Sequence, residues 1–140
     1  MSIGERTFME NSETNVTPLL SAEAVDMSVL KAFEEMHSDE ESDLIVELID
    51  LYLEDAPIRL KEIRDAVAEN DASLLKRATH SLKGSSSSIG VLQVAEICKK
   101  LEQMDCQESP RQVEAIAQLL DYKFAKASEE LEAERQRRLS

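Results

Sequence analysis

His80 is the residue of this sequence best placed to do chemistry. It stands in Thr79-His80-Ser81-Leu82-Lys83-Gly84-Ser85-Ser86, with an ammonium three residues on and a glycine four residues on. An imidazole nitrogen is a nucleophile near neutral pH. A glycine inside a helix costs ~1 kcal/mol relative to alanine. One reason to tolerate that cost is that something large must approach the imidazole closely. Each residue also has a plainer explanation. An exposed histidine is commonly a solvated polar side chain, and a glycine is commonly a weak point or a packing contact. The serines Ser85 to Ser88 could simply admit a neighbouring helix.

The element that must carry these residues is an amphipathic helix. Leu74, Leu75, Ala78 and Leu82 recur at helical spacing, and Ser85, Ser86 and Ile89 continue the stripe. On a helical wheel with ~100° per residue, Leu75, Ala78, Leu82 and Ile89 fall within ~40° of the pole opposite His80. Lys76, Arg77, Lys83, Gly84 and Ser87 fall within ~60° of His80 itself on the same construction. The histidine is therefore expected at the centre of the wet face, between cations, with Gly84 one turn along.

His-x-x-Lys-Gly with flanking Leu82, Ser85 and Ser86, and Gly90 ten residues on, resembles the signature of histidine phosphotransfer (HPt) domains. The resemblance spans roughly residues 26 to 131. It includes Asp50-Leu51-Tyr52-Leu53-Glu54-Asp55-Ala56-Pro57 before the motif, and Ala95-Glu96-Ile97-Cys98 with Leu101-Glu102 after it. It implies an antiparallel four-helix bundle whose histidine relays a phosphoryl group between aspartates of response-regulator receiver domains. His80 is then the phosphoacceptor. Lys83 stabilises the phosphoryl group, and Gly84 admits the partner. Lys76, Arg77, Ser87 and Glu102 complete the partner-facing set. The receiver supplies Mg²⁺ and an acidic pocket, so no cofactor or metal of the chain's own is expected. A hybrid histidine kinase is a second partner of the kind implied. At the place matching Glu102, many relatives carry an uncharged polar residue, often Gln. A carboxylate there could accept a hydrogen bond from the imidazole or repel the phosphoryl group.

The chain has 140 residues, enough for one domain with a sizeable core, and 42% of them are apolar. Aromatics make up 4% and glycines number three, so the class is all-α. No apolar run is long enough to span a bilayer, and no basic start followed by an apolar core marks a secretory signal. Cys98 and Cys106 lie eight residues apart on one expected helix, ~12 Å of rise, too far for a disulfide. Free thiols suit a reducing cytoplasm, the expected location. The net charge of −13 is uneven. Residues 1–70 carry 18 acids and 5 bases, residues 71–100 carry 2 and 5, and residues 101–140 carry 9 and 6. The His80 helix is a basic island in an acidic chain. The overall acidic charge would repel phosphates and disfavours nucleic acid. The local cations favour a partner with an acidic pocket. No membrane partner is expected, and the chain is expected to be a monomer.

The remaining elements follow from periodicity. Residues 1–24 read as a flexible tail and residues 25–140 as the domain. Asp26 can cap a short helix with Val29, Leu30 and Phe33 inward, ending near His37, a surface residue among acids. From Glu41 to Glu69 one helix presents Leu44, Ile45, Leu48, Leu51, Tyr52, Ile58, Leu60, Ile63 and Val67 inward, with Pro57 expected to kink rather than break it. Asp71 can cap the His80 helix, and Gly90 suits a left-handed residue after it. A helix from Val91 to about Met104 buries Val94, Ala95, Cys98 and Leu101. The last runs from Arg111 to about Glu134, burying Val113, Ile116, Leu120, Phe124, Ala127 and Leu131, with Arg135, Arg137 and Arg138 at its end. Short connections make neighbours antiparallel. The expected architecture is an up-down-up-down four-helix bundle with a short additional N-terminal helix.

Three functions of other classes compete. A zinc site needs three or four ligands, and the His80 face offers one exposed histidine among cations. Cys98, Glu102 and Cys106 at i, i+4, i+8 could recruit a soft metal, but a buried Cys98 and an exposed Cys106 are expected. An autonomous kinase would need a glycine-rich nucleotide-binding domain, which this chain lacks. The strongest rival is a non-catalytic helical adaptor that docks receiver domains.

Overall fold

Buried positions on the last helix recur in alternating steps of four and three: Val113, Ala117, Leu120, Ala127 and Leu131, with half-buried Phe124 filling the gap. That period is the one that lets helices pack nearly antiparallel along their length. The structure, a computed structural model, describes residues 23–36, 44–105 and 109–140. It contains α1 (Met27–Met36), α2 (Leu44–Glu69), α3 (Ala72–Ile89), α4 (Leu92–Gln103) and α5 (Pro110–Leu139). No strand occurs among the described residues. α2 packs on α3, α3 on α4, α4 on α5, and α5 closes back onto α2, while α1 lies against α2 and α3. The fold is the expected all-α four-helix bundle with a short N-terminal helix. Residues 1–22, most of the expected tail, lie outside the described residues, as does His37.

The turns are set by single residues. Asn70 takes φ 58°, and the Asp71 N–H returns to the Ala66 carbonyl at 2.8 Å. The Asp71 side chain then accepts from the Leu74 N–H at 3.0 Å, the cap expected for α3. At the other end Gly90 has φ +88°, and the Val91 N–H reaches the Ser86 carbonyl at 2.8 Å. The Gly90 carbonyl also accepts from the Asp26 N–H at 2.8 Å, which pins the start of α1 onto the α3–α4 turn. A Cβ on Gly90 would lie 2.6 Å from the Asp26 carbonyl oxygen. Gly90→Ala therefore combines a disfavoured backbone with a collision. It should cost about 1–3 kcal/mol, read as a lower urea midpoint with an unchanged slope.

Two expectations about α2 are corrected. Leu51 and Ile58 are exposed, at 63% and 55%, not inward. The buried stripe of α2 is Ile45, Ile49, Tyr52, Ala56, Leu60, Ile63 and Ala66. At ~100° per residue, Leu51 and Ile58 sit ~130–150° around the helix from the centre of that stripe. The helix continues unbroken through Pro57, which is exposed, as the expectation of no break required. α5 runs five residues past the expected Glu134. Glu134 is buried and pairs with Arg138, whose guanidinium also reaches Glu34 of α1. These pairs hold the last turns onto the bundle.

Candidate functional site

α3 buries Leu75, Ala78, Thr79, Leu82, Ser86 and Ile89. The opposite face must then be solvated, and the His80 side chain is 69% exposed there. Thr79 is polar yet fully buried, and its hydroxyl is satisfied within the helix by the Leu75 carbonyl at 2.7 Å. Ser86 bonds the Tyr52 hydroxyl at 2.7 Å, a buried polar contact that joins α3 to α2. Of the four serines, Ser86 is the one that is fully buried against a neighbouring helix; Ser87 is exposed.

Glu102, in the last turn of α4, bridges the two chemical groups of α3. Its Oε2 lies 2.9 Å from His80 Nδ1, and its Oε1 accepts from Lys83 Nζ at 2.7 Å. The Glu102 side chain is only 17% exposed. The hydrogen bond from Lys83 holds its carboxyl below the ordinary value; partial burial opposes this, and the His80 bond adds to the lowering. An ionised carboxylate only accepts, so the imidazole hydrogen belongs on Nδ1. The Nε2 lone pair is left for other work. Of the two outcomes open for Glu102 in the sequence, the geometry shows the first: it is a hydrogen-bond acceptor for the imidazole.

The other residues of the expected site share this face. Lys76, Arg77, Gly84 and Ser87 are exposed. A Cβ built on Gly84 meets nothing within 4 Å, so no contact inside the protein requires glycine there. The space it leaves is open to solvent. Cys98 is buried, and burial foremost, then the Glu102 charge, pushes its thiol up to about 12, so it is not a reactive group. Cys106 lies outside the described residues. Among the described residues, no group of three His, Cys, Asp or Glu side chains is placed to hold a metal ion. No described helix is long and apolar enough to cross a membrane.

Leu51 and Ile58 are functional candidates that periodicity misplaced. Leu51 lines a surface groove of about 340 Å³ with Leu48, Tyr52, Asp55, Ser85 and Ser88. Tyr52 meets Ser86 across antiparallel helices. Six residues onward on α2 and six back on α3, about 9 Å along the axis, Ile58 and His80 therefore stand at the same level. The signal was present in the sequence as Leu51 and Ile58 at i, i+7, offset from the stripe that Ala56 and Ile63 define.

Residues 47–136 match the family model of the Hpt domain. The chain belongs to the Hpt domain family. Its fold is similar to the crystal structure of histidine-containing phosphotransfer protein B (HptB) from Pseudomonas aeruginosa PAO1, with a TM-score of 0.72 and 31% identity, covering 84% of this chain and 98% of that one. It is also 27% identical over 78 residues to multistep phosphorelay regulator 1 of Schizosaccharomyces pombe, covering 56% of this chain. The chain spans about a quarter of that regulator's length (26%). Membership in the Hpt family supports phosphotransfer within phosphorelays. Hpt proteins as a class are carriers rather than kinases.

Proposed function

We propose that this Hpt protein relays a phosphoryl group between aspartates of response-regulator receiver domains, with His80 as the phosphoacceptor. The observation that carries the reading is the imidazole, 69% exposed, whose Nδ1 is engaged by Glu102 so that Nε2 takes no part in that bond. Transfer from an aspartyl phosphate is in-line displacement, which depends on positioning and on charge neutralisation. Mg²⁺ comes with the receiver in this reading. Lys83, half-buried beside His80, is the cation for the phosphoryl oxygens, and Lys76 and Arg77 add attraction for an acidic pocket. Exposed Ile58, level with His80, and exposed Leu51, about two turns away along α2, are the apolar part of the docking face. Leu51→Asp with Ile58→Asp should weaken transfer about tenfold or more while leaving the circular dichroism spectrum unchanged, because both side chains are outside the core.

A phosphorylated receiver should label the protein with phosphate that is stable to alkali and labile to acid, the behaviour of a phosphoramidate. Receiver binding without any such label would replace the relay by the adaptor.

A further inference from the structure

We infer that Lys99 of α4 is a docking residue for the receiver: its ammonium flanks the open space over Gly84 and meets a carboxylate on the rim of the partner that enters there. This rests on the relay reading of His80. The placement follows from the contacts of Glu102, which meets both His80 and Lys83 across antiparallel helices. Three residues back along α4 correspond to three onward along α3, so Lys99 stands level with residues 83 to 86, Gly84 among them. At ~100° per residue Lys99 lies ~60° around α4 from Glu102, whereas Lys100 lies ~160° away. Both are exposed, Lys99 on the α3 side of α4 and Lys100 away from it.

The charge of Lys99 has no use inside the protein. The chain carries 29 acids against 16 lysines and arginines. Cations of α2 and α5 find carboxylates: Arg59 pairs with Asp55 and Glu62, Arg64 with Asp121, and Arg135 with Asp50. Lys99 forms no ion pair with any described residue. Glu102, one turn on, already has both oxygens taken by His80 and Lys83. An unpaired surface ammonium is available to a carboxylate from outside. A receiver brings such groups to His80, because its Mg²⁺ is a hard cation held by carboxylate oxygens beside the aspartate that carries the phosphoryl group.

Lys99 is too far from the reacting atoms to act as a second Lys83. Packed helix axes lie ~8–10 Å apart, and Lys99 stands about one turn, ~6 Å, along from His80. The Debye length at physiological salt is ~8 Å, so a solvated ammonium there acts weakly on a phosphoryl group at His80. It acts instead on a surface that covers α3 and α4 together. A charge in that position sets the association rate and the choice of partner more than the chemical step. Receivers that present a carboxylate opposite Lys99 are favoured, and those that present a cation there are rejected.

The test measures kcat/KM for transfer from a phosphorylated receiver to the full chain over a range of salt, beside labelling by phosphoramidate, a small donor that does not cover α4. Lys99→Glu should lower the receiver kcat/KM about tenfold and flatten its salt dependence. Its labelling by phosphoramidate should run at the parental rate. Lys99→Arg should keep the parental values, and Lys100→Glu, on the other side of α4, should stay within about twofold of them. An unchanged receiver rate in Lys99→Glu would overturn the inference, as would an equal loss with phosphoramidate. An equal loss in Lys100→Glu would also overturn it, by assigning the effect to net charge. Should receivers bind the parent without labelling it, the relay reading falls, while the affinities of Lys99→Glu and Lys100→Glu, compared by titration, still decide the role of Lys99.

Discussion

His80→Gln should accept no phosphate from a phosphorylated receiver and should melt with the parent. Glutamine retains a polar side chain of similar reach but has no nucleophilic imidazole nitrogen. The His80 side chain is 69% exposed and contributes nothing to the core, so its replacement should shift stability by no more than ~0.5 kcal/mol. The Glu102 contact does not change this, because Lys83 still pairs with the carboxylate. Loss of labelling with an unchanged melting temperature separates loss of the acceptor from loss of the fold. His37→Gln should label as the parent does. A His80→Gln protein that labels at the parental rate would place the acceptor on another residue.

Gly84→Gln should slow transfer about ten- to a hundredfold with the fold intact. Gly84 lies one turn from His80 on the exposed face, and a Cβ there would enter open space. Its helical backbone has no positive φ, so a side chain brings no strain. Replacing a helix-interior glycine should hold or raise stability, by up to about 1 kcal/mol. The cost must then fall on the partner, whose approach the added side chain blocks. Stopped-flow or quench transfer rates read the first effect, and urea titration reads the second. Gly84→Ala, with a single methyl, should transfer faster than Gly84→Gln. Equal rates for Gly84→Gln and the parent would remove the clearance explanation for the glycine.

The two variants rest on residues whose places were legible before any coordinates. α3 declares itself by a stripe from Leu75 to Ile89, by Asp71 at its start and by Gly90 at its end. Each is local chemistry, and each stands where the periodicity put it. The bundle followed from short connections between amphipathic runs. Leu51 and Ile58 were misread because α2 carries apolar residues on more than its buried face. Only packing against α3 and α5 selects the stripe through Tyr52, Ala56 and Leu60. The length of α5 was missed because it depends on Glu134, Arg138 and Glu34 meeting at the end of the bundle. The Glu102 clamp crosses 22 residues of sequence from His80. Its geometry is fixed by the Gly90–Val91 turn and by the depth at which α4 packs, neither of which a residue pattern reports.

The relay reading is tested most directly by a two-step chase. The protein is labelled by one phosphorylated receiver, separated from it, and mixed with a second, unphosphorylated receiver and Mg²⁺. The account predicts acid-labile label at His80 after the first step. In the second step it predicts that the label leaves His80 and appears on the second receiver in an alkali-labile form, as an aspartyl phosphate. Stable complexes with both receivers, with no label on the protein at any time, would contradict it.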